Sequence, residues 1–230
     1  MTNNPLLVLA ATPKNPKSKI ENFFAEEGNI FKLIKDPPYF RYSGWNLLTL
    51  DYPKIKGGKS WEVKNGDRKT IRIFEDGTLV AVCSADNSFL GWGREFEEFM
   101  ETPNLNTLAV IEYVYEFVRL YKELSKHLED AIITFQIELK NTTLANGKKL
   151  SLIPHRVKDP LYMFKEDAYK LDGDFEESIE INIKEEDERY AAFKIISRIF
   201  INFGIPQDKI PYTSKDDVGR QYVDEKTYME

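Results

Sequence analysis

This chain is poor in the side chains that perform chemistry. Its 230 residues hold one cysteine, Cys83, and two histidines, His127 and His155. One cysteine cannot close an internal disulfide, which fits a reducing compartment. Two histidines far apart in sequence remove most metal sites, thiol catalysis and His-based triads. No metal site and no cofactor are expected. No run approaches the roughly eighteen apolar residues of a membrane span. The N-terminal stretch has no basic start, and its apolar run at 6–11 is cut short by Pro13 and Pro16. We therefore expect no secretory leader, no membrane contact and a soluble cytoplasmic protein. Phosphate-loop patterns of the GxxxxGK[ST] and GxGxxG kinds are absent. Gly91-Trp92-Gly93 reads as a turn, because Trp92 is a poor neighbour for a tight anion cradle.

Aromatics, in contrast, are plentiful: 15 Phe, 12 Tyr and 3 Trp. They supply a large core. A chain of this length buries roughly 70% of its unfolded surface and needs no covalent staple. The net charge is −6, but residues 1–72 carry a surplus of six positive charges and residues 73–230 a surplus of twelve negative ones. Two explanations fit: the two regions attract each other within the fold, or a local basic face meets nucleic acid.

Pattern and punctuation place the elements. Residues 6–11 read as a buried strand, and 20–25 and 30–35 as helical pieces separated by Gly28 in a C-cap role. Residues 45–85 read as a four-stranded meander over 45–50, 60–64, 70–74 and 78–84. Asn65-Gly66 and Asp76-Gly77 supply its turns, the first as a type I′ pair. A short helical segment is expected at 94–100. A long helix at 105–128, capped by Asn104 or Asn106, has two apolar lines and a polar line of Glu116, Arg119 and Glu123 read as solvated. A strand at 131–139 and one at 149–153 form a hairpin about Asn146-Gly147. A strand at 178–183 and a helix opened by the acids 185–188 follow. The expected class is α+β, with an antiparallel meander and hairpins packed on one long central helix and a C-terminal helix. Residues 1–206 form one body, with a subdomain boundary near 101–106 as the alternative. Residues 207–230 form a polar tail or arm.

Three constellations are candidates for function. The first is the loop 37–45, PPYFRYSGW, where Tyr39, Arg41, Tyr42 and Trp45 are the residue types that anchor interfaces; it serves equally as a packed plug over the meander. The second is the basic cluster His155, Arg156 and Lys158, near Tyr162 and Phe164, which suits phosphate contact and base stacking or simply solvated charge. The third is Glu138-Leu139-Lys140, an E-x-K element that holds Mg²⁺ in some nucleases, with Asp76 or Asp67 as the partner acid. Its plainer reading is the exposed side of a half-buried strand. The acids at 172–180 lack EF-hand spacing, and Cys83 reads as an inert buried thiol.

The order PPYFRYSGWNL, a DG hairpin and the helix LAVIEYVYEFVRL resembles the region downstream of the AlbA_2 (Schlafen-type) domain in bacterial ATP-binding and transcriptional-regulator-like proteins. The resemblance spans roughly residues 6–205 as an order of elements. The nucleotide-binding domain lies outside it, so it implies an accessory or sensor module with no ATP site. The function expected is a non-enzymatic interaction or regulatory module, most readily for a protein partner, with nucleic acid reached through local basic patches. The alternatives are a divergent Mg²⁺-dependent nuclease and a small-ligand-binding domain with its pocket between meander and long helix.

Overall fold

Period-two alternation of apolar and polar residues assembles most of the strands into one sheet. A computed structural model describes residues 4–16, 19–40, 44–49, 51–91, 104–143, 147–155, 161 and 169–228. In chain order the elements are β1 (Leu6–Pro13), α1 (Asn29–Lys35), β2 (Lys54–Lys56), β3 (Ser60–Asn65), β4 (Lys69–Phe74), β5 (Leu79–Ser84), β6 (Asn104–Asn106), α2 (Thr107–Ser125), β7 (Ile132–Lys140), β8 (Ser151–Ile153), β9 (Phe175–Asn182), α3 (Glu188–Asn202), β10 (Thr213–Lys215) and β11 (Gln221–Val223). Seven strands form a sheet in the order β2-β3-β4-β5-β1-β7-β9. Every pairing in it is antiparallel. The protein is of the α+β class, with the central helix α2 and the C-terminal helix α3 against this sheet.

The helices cover one face. Leu7, Leu9 and Ala11 of β1, Ile71 and Ile73 of β4, and Ile133, Phe135 and Ile137 of β7 point toward them, each at most 1% exposed. Phe31 of α1 meets Trp61 of β3 edge to face at 5.3 Å between ring centroids. Helix α2 is the hub. Of its 19 residues only Arg119, Lys122 and Glu123 escape full burial. Its N-cap is Asn106, whose side-chain oxygen accepts from the Leu108 N–H at 3.0 Å and satisfies one of the free donors of the first turn. Helix α3 starts the same way, with Asp187 accepting from the Arg189 N–H at 2.9 Å.

Several local expectations give way. Of the strand expected at 45–50, the described residues 45–49 form no strand; the meander begins at β2. Backbone groups of the 44–49 segment are bound by buried side chains instead of a neighbouring strand. Residues 20–25 form turns, not helix, and Gly28 is the N-cap of α1 rather than a C-cap. The Asn65-Gly66 turn spans three residues, with Gly66 at φ +51 and Asn65 at negative φ, so it is not a type I′ pair. The strand at 149–153 does not return beside β7, whose second edge is taken by β9. Strand β8 pairs in parallel with β6 at the start of α2, and only the Thr143–Lys149 bridge remains of the hairpin. The segment 94–100 lies outside the described residues. Residues 207–228 form a small hairpin, β10–β11, between 3-10 turns. Ile210 and Val223 are buried, and β11 lies against α3.

The second turn makes a sharper demand on glycine. Gly77 sits at φ +85, and a Cβ there would lie 2.5 Å from Leu128 Cδ2, whereas a Cβ on Gly66 would meet nothing within 4 Å. Gly77→Ala is expected to cost about 2 kcal/mol and Gly66→Ala about 1 kcal/mol, because only the first adds overlap to backbone strain. Paired urea melts check this; equal losses would show that Leu128 yields freely.

Candidate functional site

Four perturbed groups, Lys69, Cys83, Tyr113 and Glu116, gather where α2 meets the meander beneath Phe40 and the 44–49 segment. Two acids, Glu112 and Glu116, stand one helical turn apart on α2, and both are fully buried. Glu116 holds the segment at two points. Its Oε1 accepts from the Phe40 N–H at 2.8 Å and its Oε2 from the Leu47 N–H at 3.1 Å. Opposite it, the buried Lys69 of β4 donates through Nζ to the carbonyl oxygens of Asn46 and Leu48. The same ammonium lies 5.4 Å from the centre of the Phe89 ring. One carboxylate and one ammonium thus fasten a single stretch of irregular backbone, one taking its N–H groups and the other its C=O groups. Buried backbone needs partners, and charged partners bond more strongly than neutral ones.

Burial governs the ionisation of both groups. It pushes Glu116 up to about 7, with the Phe40 and Leu47 N–H bonds pulling down and the neighbouring Glu112 pushing further up. It lowers Lys69 to about 8, against the attraction of Glu116. An acid and an amine brought this close to neutrality are what acid–base catalysis uses. Here both oxygens of the acid and the head of the amine are engaged with backbone of one segment. Beside them, burial raises both the Cys83 thiol of β5 and the Tyr113 hydroxyl of α2, which face each other. Cys83 is accordingly an unreactive thiol.

The loop singled out in the sequence divides in two. Trp45 is 3% exposed, and its Nε1 donates to the Phe89 carbonyl at 3.0 Å, so it is an anchor inside the protein. Tyr39 stands out at 40% exposure. Arg41 and Tyr42 lie outside the described residues, as do Arg156 and Lys158. His155 is not a surface cation. It is buried, packs edge to face on Trp45 at 5.6 Å, and binds the start of α2 through its own N–H to Thr107 Oγ1 at 3.1 Å. Asn106 already uses its oxygen as the helix cap, so its amide group donates to His155 Nδ1 at 2.9 Å. That leaves the imidazole neutral with its proton on Nε2. His127 is exposed just past the end of α2 in an open groove shared with Lys32, Asp36 and Glu123.

The E-x-K element forms an ion pair within itself, Lys140 to Glu138. Asp76 caps its own turn, accepting from the Thr78 N–H at 2.9 Å. Glu138 shares a row with Val8 and Val82, while Thr78 lies just before β5, four residues from Val82, about 13 Å by strand rise. The structure does not bring Glu138 and Asp76 together. Among the described residues no group of three His, Cys, Asp or Glu side chains is placed to hold a metal, and no helix is long and apolar enough to cross a membrane.

Glu112, Glu116 and Lys69 are the residues that sequence reasoning passed over. Glu116 was expected on a solvated line with Arg119 and Glu123. The line exists, but Phe40 and Leu47 cover its first half, and the second lies near the surface. The available signal was the pair of acids four residues apart inside an otherwise apolar stretch. Comparison of the chain with protein families, with curated proteins and with solved structures finds no match.

The clasp leaves a signature in pH. Glu116 titrates near 7 when folded against an ordinary 4.5, so the folded state holds the extra proton between those values. Its contribution to stability is complete below pH 4.5 and is lost as pH rises through 7. Lys69, lowered from 10.5 to about 8, contributes fully above 10.5 and loses that as pH falls through 8. Glu116→Gln sets an amide N–H against a backbone N–H and should cost about 1–3 kcal/mol. That deficit should shrink by roughly 1–3 kcal/mol between pH 5 and pH 8, as read by urea melts. A deficit independent of pH would refute the buried titration.

Proposed function

We propose that this chain is a non-enzymatic binding module that presents its 37–47 segment to a protein partner. The observation that carries this is the double clasp by Glu116 and Lys69. Phe40, Asn46, Leu47 and Leu48 are each fastened, and Trp45 is a buried anchor, so these points of the segment are held before any partner arrives. Fixing a contact loop in advance removes ordering entropy from the binding step. Tyr39 is left outward beside two prolines, and tyrosine is among the residues that most often anchor interfaces. The resemblance to a region adjoining the AlbA_2 domain agrees with an accessory or sensor role. The cluster of Lys69, Cys83, Tyr113 and Glu116 between meander and helix favours a second reading, a small polar ligand held there after the segment lifts.

The test is capture from the native host with cross-linking. Tyr39→Ala is expected to keep the wild-type melting temperature and to lose a captured protein at least tenfold. Trp45→Ala is expected to lose about 3–5 kcal/mol of stability. Undiminished capture by a folded Tyr39→Ala variant would reject the proposal.

The nuclease alternative makes a separate prediction. With Glu138 tied to Lys140 and away from Asp76, no cleavage of duplex DNA, single-stranded DNA or RNA is expected in Mg²⁺ or Mn²⁺. Cleavage that vanishes in Glu138→Ala would restore that alternative.

A further inference from the structure

The face of the sheet turned away from the helices breaks the usual alternation. On a solvated antiparallel face the outward positions are normally polar. Strands β1 and β5 instead place Leu6, Val8, Ala10, Val80 and Val82 there, all half-buried. Helices α1, α2 and α3 all pack on the other face, as does the 44–49 segment. Among the described residues no element is stacked on the outward one.

Charges flank this apolar stripe with opposite signs. Strands β2, β3 and β4 turn Lys54, Lys56, Lys64 and Arg72 outward, against one acid, Glu62, which is buried between Arg72 and Lys64 and paired with both. Strands β7 and β9 turn out Glu138, Glu176 and Glu180, with Lys140 at one end and Lys14 reaching Glu180 at the other. Register places these residues in rows across the sheet. One row runs Lys64, Thr70, Val82, Val8, Glu138, Glu176, and the next runs Glu62, Arg72, Val80, Ala10, Gln136, Ser178.

We infer that this face is the contact between two copies of the chain, stacked sheet to sheet about a two-fold axis running along the strands between β5 and β1. Such an axis keeps each row and reverses its order. Val82 then lies over Val8 of the second copy, Val80 over Ala10, Lys64 over Glu176, Thr70 over Glu138, Arg72 over Gln136, and Glu62 over Ser178. In the first row Lys64 meets an acid at each end, in the second every charge meets a neutral side chain, and no like charges meet, as an isologous interface requires. An axis across the strands would stack base on base and acid on acid. Aligned sheets pack about 10 Å apart at roughly 30°. Seven strands spaced ~4.8 Å and about six residues long give a face of roughly 600 Å² in plan. With side-chain relief this approaches the ~800 Å² per partner of a standard stable interface.

Sedimentation equilibrium and native mass spectrometry of the full chain test the contact. The wild type is expected to form a reversible dimer at micromolar concentration. Val8→Glu should abolish it without lowering the melting temperature. Lys64→Glu and Glu176→Lys, both at exposed positions, should each weaken it about tenfold or more. Mixed one to one, these two charge variants should pair with each other at wild-type affinity, since every reversed charge then meets its opposite. Tyr39→Ala should leave the dimer unchanged. A wild type that stays monomeric at several hundred micromolar overturns the inference. So does a dimer that survives both charge variants, or a mixture with no preference for the heterodimer. If Val8→Glu fails to fold, the charge variants decide alone.

Discussion

A carboxylate shut away from water has to find donors inside the protein, and Glu116 finds them in the backbone of a loop. Much of the helix side of the molecule follows from that constraint. Helix α2 is enclosed along nearly its whole length, so its polar line cannot face solvent throughout. Where the line is covered, the covering chain satisfies it: Phe40 and Leu47 give their N–H groups to the acid. The carbonyls of the same stretch then need a donor, and Lys69 reaches them from β4. Each buried charge is offset by hydrogen bonds and by the field of the other. Helix, meander and connecting segment are joined by polar contacts as well as by apolar packing.

The start of α2 is organised by the same economy of partners. Asn106 divides its amide between the helix cap and His155, and His155 in turn binds Thr107 and packs on Trp45. These contacts tie β8, the 44–49 segment and the head of the helix into one unit. The two histidines have different fates: one is a structural acceptor in the interior, the other a surface residue. The charge asymmetry along the chain finds part of its explanation inside the fold, since Lys14 meets Glu180 and Lys19 meets Glu75. What remains is spread over the outward sheet face with opposite signs at its two sides.

Regular elements were the legible part. An unbroken apolar run located β1, period-two runs and turn glycines located β3, β4, β5, β7 and β9, and two apolar lines located α2. A helical wheel likewise shows that Glu116, Arg119 and Glu123 share a line. It is silent on what covers that line, because the covering segment has no periodicity and lies some seventy residues away in the chain. The strand expected at 45–50 failed for the same reason. Its residues suit a strand, but its hydrogen bonds go to side chains of α2 and β4. Strand β8 shows a related effect: its local pattern is that of a strand, while the choice of neighbour depended on β9 occupying the free edge of β7.

Composition and periodicity alone determined the class of fold, the long helix, the meander and the scarcity of catalytic side chains, because each depends on residues close together in the chain. Tertiary structure decided which charges are buried, that Trp45 and His155 are interior anchors, and that valines on β1 and β5 share a face on which no described element is stacked. Those outcomes depend on which distant segments come to lie over one another, and no local pattern encodes that.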